Sequence, residues 1–148
     1  MGFTWVPAFA GMSGLDHKGE GLRMIAYTTL GVNDMDRSTA FYDAVFAPLG
    51  AVRDTTSQTW TGYVREGDRG RFFLTRPFDG QPATAGNGVM LSFLAEDRAA
   101  IDAFHAAALQ MGGADEGPPG VREGMNPVFY AAYIRDPDGN KLCAFVRK

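Results

Sequence analysis

One pattern is written twice between Met24 and Val146, and it restricts the chain to folds built from two similar halves. In the first copy a strand pattern, Ile25–Val32, leads to Asp36-Arg37 and a helix pattern with Phe41, Val45 and Leu49 on one face. That copy closes on Leu49-Gly50-Ala51. In the second copy Val89–Leu94 leads to Asp97-Arg98, then to a helix pattern carrying Ile101, Phe104 and Ala108, and closes on Gly112-Gly113-Ala114. Apolar residues three and four apart mark a helix, whereas Val89, Leu91 and Phe93 alternate as a strand does. An acidic residue at each helix start can accept from free backbone N–H groups and complement the dipole. Glycine at each helix end supplies the left-handed stop.

Each helix pattern is followed by three strand patterns. In the first half these are Ala51–Thr55, Thr59–Arg65 and Arg71–Thr75, with a turn around Gly67 to Gly70. In the second half they are a weak one near Val121, then Val128–Arg135 and Lys141–Val146, joined by the turn Asp136-Pro137-Asp138-Gly139-Asn140. Gly80 to Gly88 reads as the linker. The chain is thus expected to be α+β: a single domain, 24–148, of two βαβββ modules over about 24–80 and 88–148, each burying a sheet on its own helix.

Residues 1–23 read as a flexible tail outside this domain. Phe3 to Met12 is apolar but broken by Pro7 and Gly11, and it lacks the positive start of a secretory signal. Gly11 to Gly21 is Gly-rich and polar, and Met24 stands directly before the first strand pattern, where a native start is expected. Fourteen Lys and Arg against seventeen Asp and Glu give a net charge of −3, which argues against a nucleic-acid face. One cysteine excludes an internal disulfide. Two histidines, one of them His17 in the tail, leave little imidazole for a metal. The cytoplasm is the expected location, with no membrane partner.

Two segments carry a resemblance. Thr29-Leu30-Gly31-Val32-x-Asp34-Met35-Asp36-Arg37-Ser38-x-Ala40-Phe41-Tyr42 and Arg135-Asp136-Pro137-Asp138-Gly139-Asn140-Lys141-Leu142 resemble the signatures of the vicinal oxygen chelate superfamily. That superfamily includes glyoxalase I, extradiol dioxygenases, fosfomycin-resistance transferases and bleomycin-binding proteins. The resemblance implies two βαβββ modules forming a curled, mostly antiparallel sheet around a cavity, helices on the outside, in a homodimer. It also implies four positions that hold the metal in the family's enzymes, and these fall at Tyr27, Met90, Cys143 and Phe73. None of the four is an imidazole or a carboxylate, and a thioether suits a hard divalent ion poorly. Neither a metal nor another cofactor is therefore expected.

Strand alternation turns the same positions toward one wall. If Val89, Leu91 and Phe93 pack on a helix, Met90 and Ser92 face away from it; Leu142, Ala144 and Val146 likewise leave Cys143 and Phe145 on the far side. Pairing Arg135 with Lys141 across the turn sets Tyr133 opposite Cys143. With Tyr27, Thr29 and Phe73, these residues form an aromatic and sulfur-rich wall for a small, partly apolar or aromatic molecule. Trp60 and Tyr63 lie close to it in sequence, with unassigned phase. The plainer reading is that Tyr27, Met90, Phe73 and Phe145 fill a closed interior. Cys143 reads as an inert thiol, His105 as a hydrogen-bonded structural histidine three residues after Asp102, and Asp136 and Asp138 as turn residues. Gly117-Pro118-Pro119-Gly120 reads as a loop, and Arg65, Arg69 and Arg71 as a solvated hairpin. Three functions stay open: metal-free binding of a small molecule, a lactoylglutathione lyase-like or dioxygenase-type enzyme with a non-standard site, or an interaction protein with a filled cavity.

Overall fold

The computed structural model describes residues 25–122, 124–125 and 128–147. The tail over residues 1–23 and the proposed start at Met24 lie outside the described residues. The first module runs β1 (Tyr27–Gly31), α1 (Met35–Phe46), a short 3-10 turn (Ala47–Leu49), β2 (Ala51–Thr56), β3 (Trp60–Arg65) and β4 (Arg71–Thr75). The second runs β5 (Met90–Leu94), α2 (Arg98–Gln110), β6 (Ala114–Val121), β7 (Phe129–Arg135) and β8 (Lys141–Arg147). Each module forms one four-stranded sheet, ordered β1-β4-β3-β2 and β5-β8-β7-β6. In each, only the pairing of first and last strands is parallel. The α+β arrangement written in the repeat is present.

Local chemistry accounts for the element ends, with two departures from the sequence reading. The cap of α1 is Asp34, not Asp36. Asp34 is extended and its carboxylate accepts from the Arg37 N–H at 3.0 Å, the three-residue reach of an N-cap, while Asp36 lies inside the first turn. Asp97 caps α2 in the same way through the Ala100 N–H at 2.8 Å. Gly50 and Gly112 follow the helices at φ 74° and 87°. The second departure is β6, which runs straight through the Pro-Pro stretch read as a loop. Its register slips between Asp115 and Gly117 and again between Gly117 and Gly120. Proline is tolerated there because β6 is an edge strand and irregular, so the missing N–H groups cost no ladder bond.

One core serves both modules. Phe41, Tyr42, Val45 and Phe46 of α1 and Ile101, Phe104 and Ala108 of α2 are buried with Leu74, Ile134, Leu142 and Ala144 from the sheets. Phe93 of the second module packs on Phe46 at 5.0 Å and on Phe72 at 5.7 Å between ring centres. Burying a side chain of this size stabilises by ~1.5–3 kcal/mol each. Polar bonds cross the same junction. The Asp138 carboxylate accepts from Asn33 Nδ2 at 2.9 Å, Arg37 Nη2 at 3.0 Å and Ser38 Oγ at 3.2 Å, all at the start of α1. Asp136 accepts from the Tyr42 hydroxyl at 2.8 Å. The two segments that carried the family resemblance are therefore in contact, and the turn carboxylates hold the halves together.

Candidate functional site

Each helix covers one face of its sheet, and the opposite faces carry the predicted residues. Strand register shows this directly, because residues paired across a sheet share a face. One row runs Ser92, Cys143, Tyr133, Gly117 across the second sheet. The matching row of the first sheet runs Thr29, Phe73, Gly62. One row over, Tyr27 pairs with Arg71 and Met90 with Lys141. Phe73 and Cys143 are thus equivalent positions of the repeat, as are Tyr27 and Met90. The four family positions are two positions written twice.

Tyr27, Thr29 and Phe73 come together on the first open face. Phe73 is buried, with Tyr27 at 5.9 Å and Trp60 at 5.7 Å, both edge-on. Trp60, whose phase the sequence left open, therefore belongs to this face. Tyr63 belongs to the core and donates to the Asp43 carboxylate at 3.0 Å. Gly62 lets the Phe73 ring lie on the backbone of β3: a Cβ there would stand 2.7 Å from Phe73 Cε1. Met90, Ser92, Tyr133, Cys143 and Phe145 come together on the second open face, where Phe145 stacks on Phe129 at 5.3 Å. Tyr27 and Met90 are 42% and 43% exposed, so neither is closed over within one chain. The ring contacts that join the modules, Phe93 with Phe46 and Phe72, lie on the helix-covered side, so the two sets of wall residues occupy separate sheets.

Cations rim both faces, a feature that residue spacing does not announce. In the first module the bulged Asp54 of β2 pairs with Arg71, which lies over the Phe73 ring at 5.2 Å. Arg71 is thus part of the open face, not of a solvated hairpin. In the second module Glu116, at the corresponding bulge of β6, reaches Lys141 at 3.8 Å and Arg135 at 2.8 Å. Lys141 Nζ stands 5.5 Å from the centre of the Tyr133 ring, and Arg122 lies over that ring at 4.9 Å. Such pairings depend on where the bulges turn an acidic side chain, which residue spacing does not reveal.

Cys143 is 2% exposed, and burial pushes its thiol up; Ser92 and Tyr133, then Arg122 and Lys141, offset part of that rise. A protonated, enclosed thiol is a poor nucleophile. His105 is buried, and its Nε2 meets the Asp115 carboxylate at 2.8 Å. Its partner is thus Asp115, while Asp102 accepts from the Tyr130 hydroxyl at 2.7 Å. An open polar cleft of about 520 Å³ lies elsewhere, lined by Asp34, Met35, Asp36, Ser57, Gln58, Thr59 and Arg76. None of the predicted wall residues borders it.

The donor set at the four positions that the resemblance assigns to a metal does not suit a divalent ion. Phe73 offers no donor, Met90 only a thioether, Cys143 a thiol held protonated by burial, and Tyr27 a phenol. Among the described residues no group of three or more His, Cys, Asp or Glu is placed to hold a metal ion. No helix among them is long and apolar enough to cross a membrane.

The sequence pattern of the Glyoxalase/Bleomycin resistance protein/Dioxygenase superfamily matches residues 24–144, and the chain belongs to this family. Within it, the chain is similar to a glyoxalase/bleomycin resistance protein from Albidiferax ferrireducens T118, with 42% identity over 85% of this chain and 100% of that one and a TM-score of 0.77. Its fold is also that of a lactoylglutathione lyase from Agrobacterium tumefaciens, at 24% identity, 85% and 95% coverage and a TM-score of 0.59. A fosfomycin resistance protein from Mesorhizobium loti shares the fold at 19% identity, 87% and 93% coverage and a TM-score of 0.59. No curated protein matches the chain.

Proposed function

We propose that the chain is a small-molecule-binding member of this superfamily that takes a small, partly apolar or aromatic ligand against its open sheet faces. The observation that carries the reading is the occupancy of the repeat-related positions by Tyr27, Phe73, Met90 and Cys143, with Tyr133 and Phe145 beside them. Aromatic rings and sulfur favour flat apolar bodies, and the hydroxyls of Thr29, Ser92 and Tyr133 supply a few polar anchors. Exposed Leu94 and Val52 are side chains that a second copy would cover, consistent with a homodimer.

Trp60 meets the Phe73 ring edge-on and reports on the first face. Titration with 1-naphthamide, followed by calorimetry and by Trp60 emission in a Trp5→Phe background, is expected to show saturable binding. Met90→Arg is expected to reduce uptake at least about tenfold, by placing a charge in an apolar contact, while leaving the thermal midpoint close to that of the parent. Equal binding by the variant removes the second face from the site. Stoichiometric zinc, nickel, iron or manganese in the purified untagged protein would favour an enzyme of lyase or dioxygenase type.

A further inference from the structure

The second open face carries a guanidinium that forms no ion pair among the described residues. Arg122 directs Nη2 at three backbone carbonyl oxygens: Pro118 at 2.6 Å, Ala131 at 2.7 Å and Gly117 at 3.3 Å. Its Nε is buried without an acceptor. The nearby carboxylates among the described residues have other partners. Asp115 accepts from the Gly117 N–H at 3.1 Å and meets His105, and Glu116 pairs with Arg135 and Lys141. Arg71 also has a buried, unsatisfied Nε, but its charge is met by Asp54. Among the described residues Arg122 has only carbonyl dipoles, which orient the group without cancelling its charge.

That orientation has a specific origin. The irregular edge strand β6 brings Gly117 over Tyr133, close enough that an added Cβ would stand 3.0 Å from the Tyr133 ring and 3.5 Å from Arg122 Nη2. The guanidinium is thereby laid on the Tyr133 ring, at the end of the row that continues through Cys143 to Ser92. A cation fixed by backbone, stacked on an aromatic and in no ion pair among the described residues is preorganised for a planar oxyanion, for which arginine is the best-matched side chain.

We infer that Arg122 selects the charge of the ligand: the molecule taken by the second face is an organic anion, a carboxylate borne on a flat apolar body, with the carboxylate at Arg122 and the body over Tyr133 toward Ser92. This deepens the proposed binding function and rests on it.

The test uses two probes that differ only in charge, 1-naphthoate and 1-naphthamide, titrated calorimetrically into the full chain at low salt and in 0.5 M salt. The parent protein is expected to bind the carboxylate at least about tenfold more tightly, with the preference shrinking in high salt. Arg122→Gln is expected to abolish that preference while leaving naphthamide affinity within about twofold, and Arg122→Lys to retain part of it. A purely structural arginine gives a different result: Arg122→Gln lowers the thermal midpoint and weakens both probes alike. That outcome, or equal affinity of the parent for the two probes, overturns the inference and leaves the binding function standing. Failure of both probes to bind the parent removes the binding function and this inference together. Should Arg122→Gln not fold, the parent's charge preference and the Arg122→Lys variant decide.

Discussion

The hydroxyl of Tyr42 donates to the carboxylate of Asp136 at 2.8 Å, linking residues 94 positions apart across the junction of the two modules. Both groups are buried, and Asp136 also accepts from the Asn140 N–H at 2.8 Å and Asn140 Nδ2 at 2.9 Å. A turn carboxylate buried in this way requires every donor it has. Tyr42→Phe removes one donor and leaves the charge in place, so it is expected to destabilise by ~1–3 kcal/mol. Chemical denaturation of Tyr42→Phe, Asp136→Asn and the double variant measures this. Strict additivity of the two single effects would show that the bond contributes nothing.

The same tyrosine makes stability fall at high pH. Burial, and then Asp136, raise Tyr42 well above the ordinary phenol value; burial, and then Asp43, do the same for Tyr63. Both groups keep their protons in the folded chain at pH values where the unfolded chain gives them up. Their contribution is complete below about pH 10 and is lost progressively as pH rises from there toward the raised folded values. Denaturation free energies are expected to be flat in this respect from pH 7 to 9 and to decline above about pH 10. Tyr42→Phe and Tyr63→Phe are each expected to shallow that decline. An unchanged slope in both variants contradicts the assignment.

Two glycines differ in how far their surroundings can yield. At Gly62 an added Cβ meets the edge of the Phe73 ring at 2.7 Å, while at Gly113 it meets Arg135 O at 2.7 Å, Ala108 O at 2.9 Å and Phe41 Cε2 at 2.9 Å. A ring at the open face can tilt; a carbonyl in the last turn of α2 and one ending β7 cannot without moving their elements. Gly113→Ala is expected to reach or exceed the upper end of the ~1–3 kcal/mol cost of overpacking, and Gly62→Ala to fall below it. Gly62→Ala is further expected to shift Trp60 emission, since Trp60 rests on the same ring. The reverse order of the two stabilities would sink this reading.

The elements were readable because their signals are local. Helix α1 carries Phe41 and Val45 at helical spacing, with Leu49 continuing it in the 3-10 turn that follows, and the turn from Asp136 to Asn140 fixes the register of β7 on β8, with Arg135 opposite Lys141 and Tyr133 opposite Cys143. Strand β6 was misread because Pro118 and Pro119 ordinarily end strands, and only its edge position makes them harmless. Spacing alone does not separate the cap of α1 from its neighbour, because Asp34 at the cap and Asp36 inside the first turn are the same residue type. Arg122 left no trace at all: nothing near it in sequence announces that β6 will curl its guanidinium onto Tyr133.

The amino-acid order alone determined the duplicated βαβββ plan, because periodicity and turn chemistry belong to neighbouring residues. Tertiary structure decided that the wall residues divide between two sheets, that Asp136 and Asp138 join the modules, and that Arg122 lies on Tyr133 with no ion pair among the described residues. Those outcomes depend on which groups meet across the fold after burial and bulges have set the distances, and electrostatic pairing is decided by distance in space, not by separation along the chain.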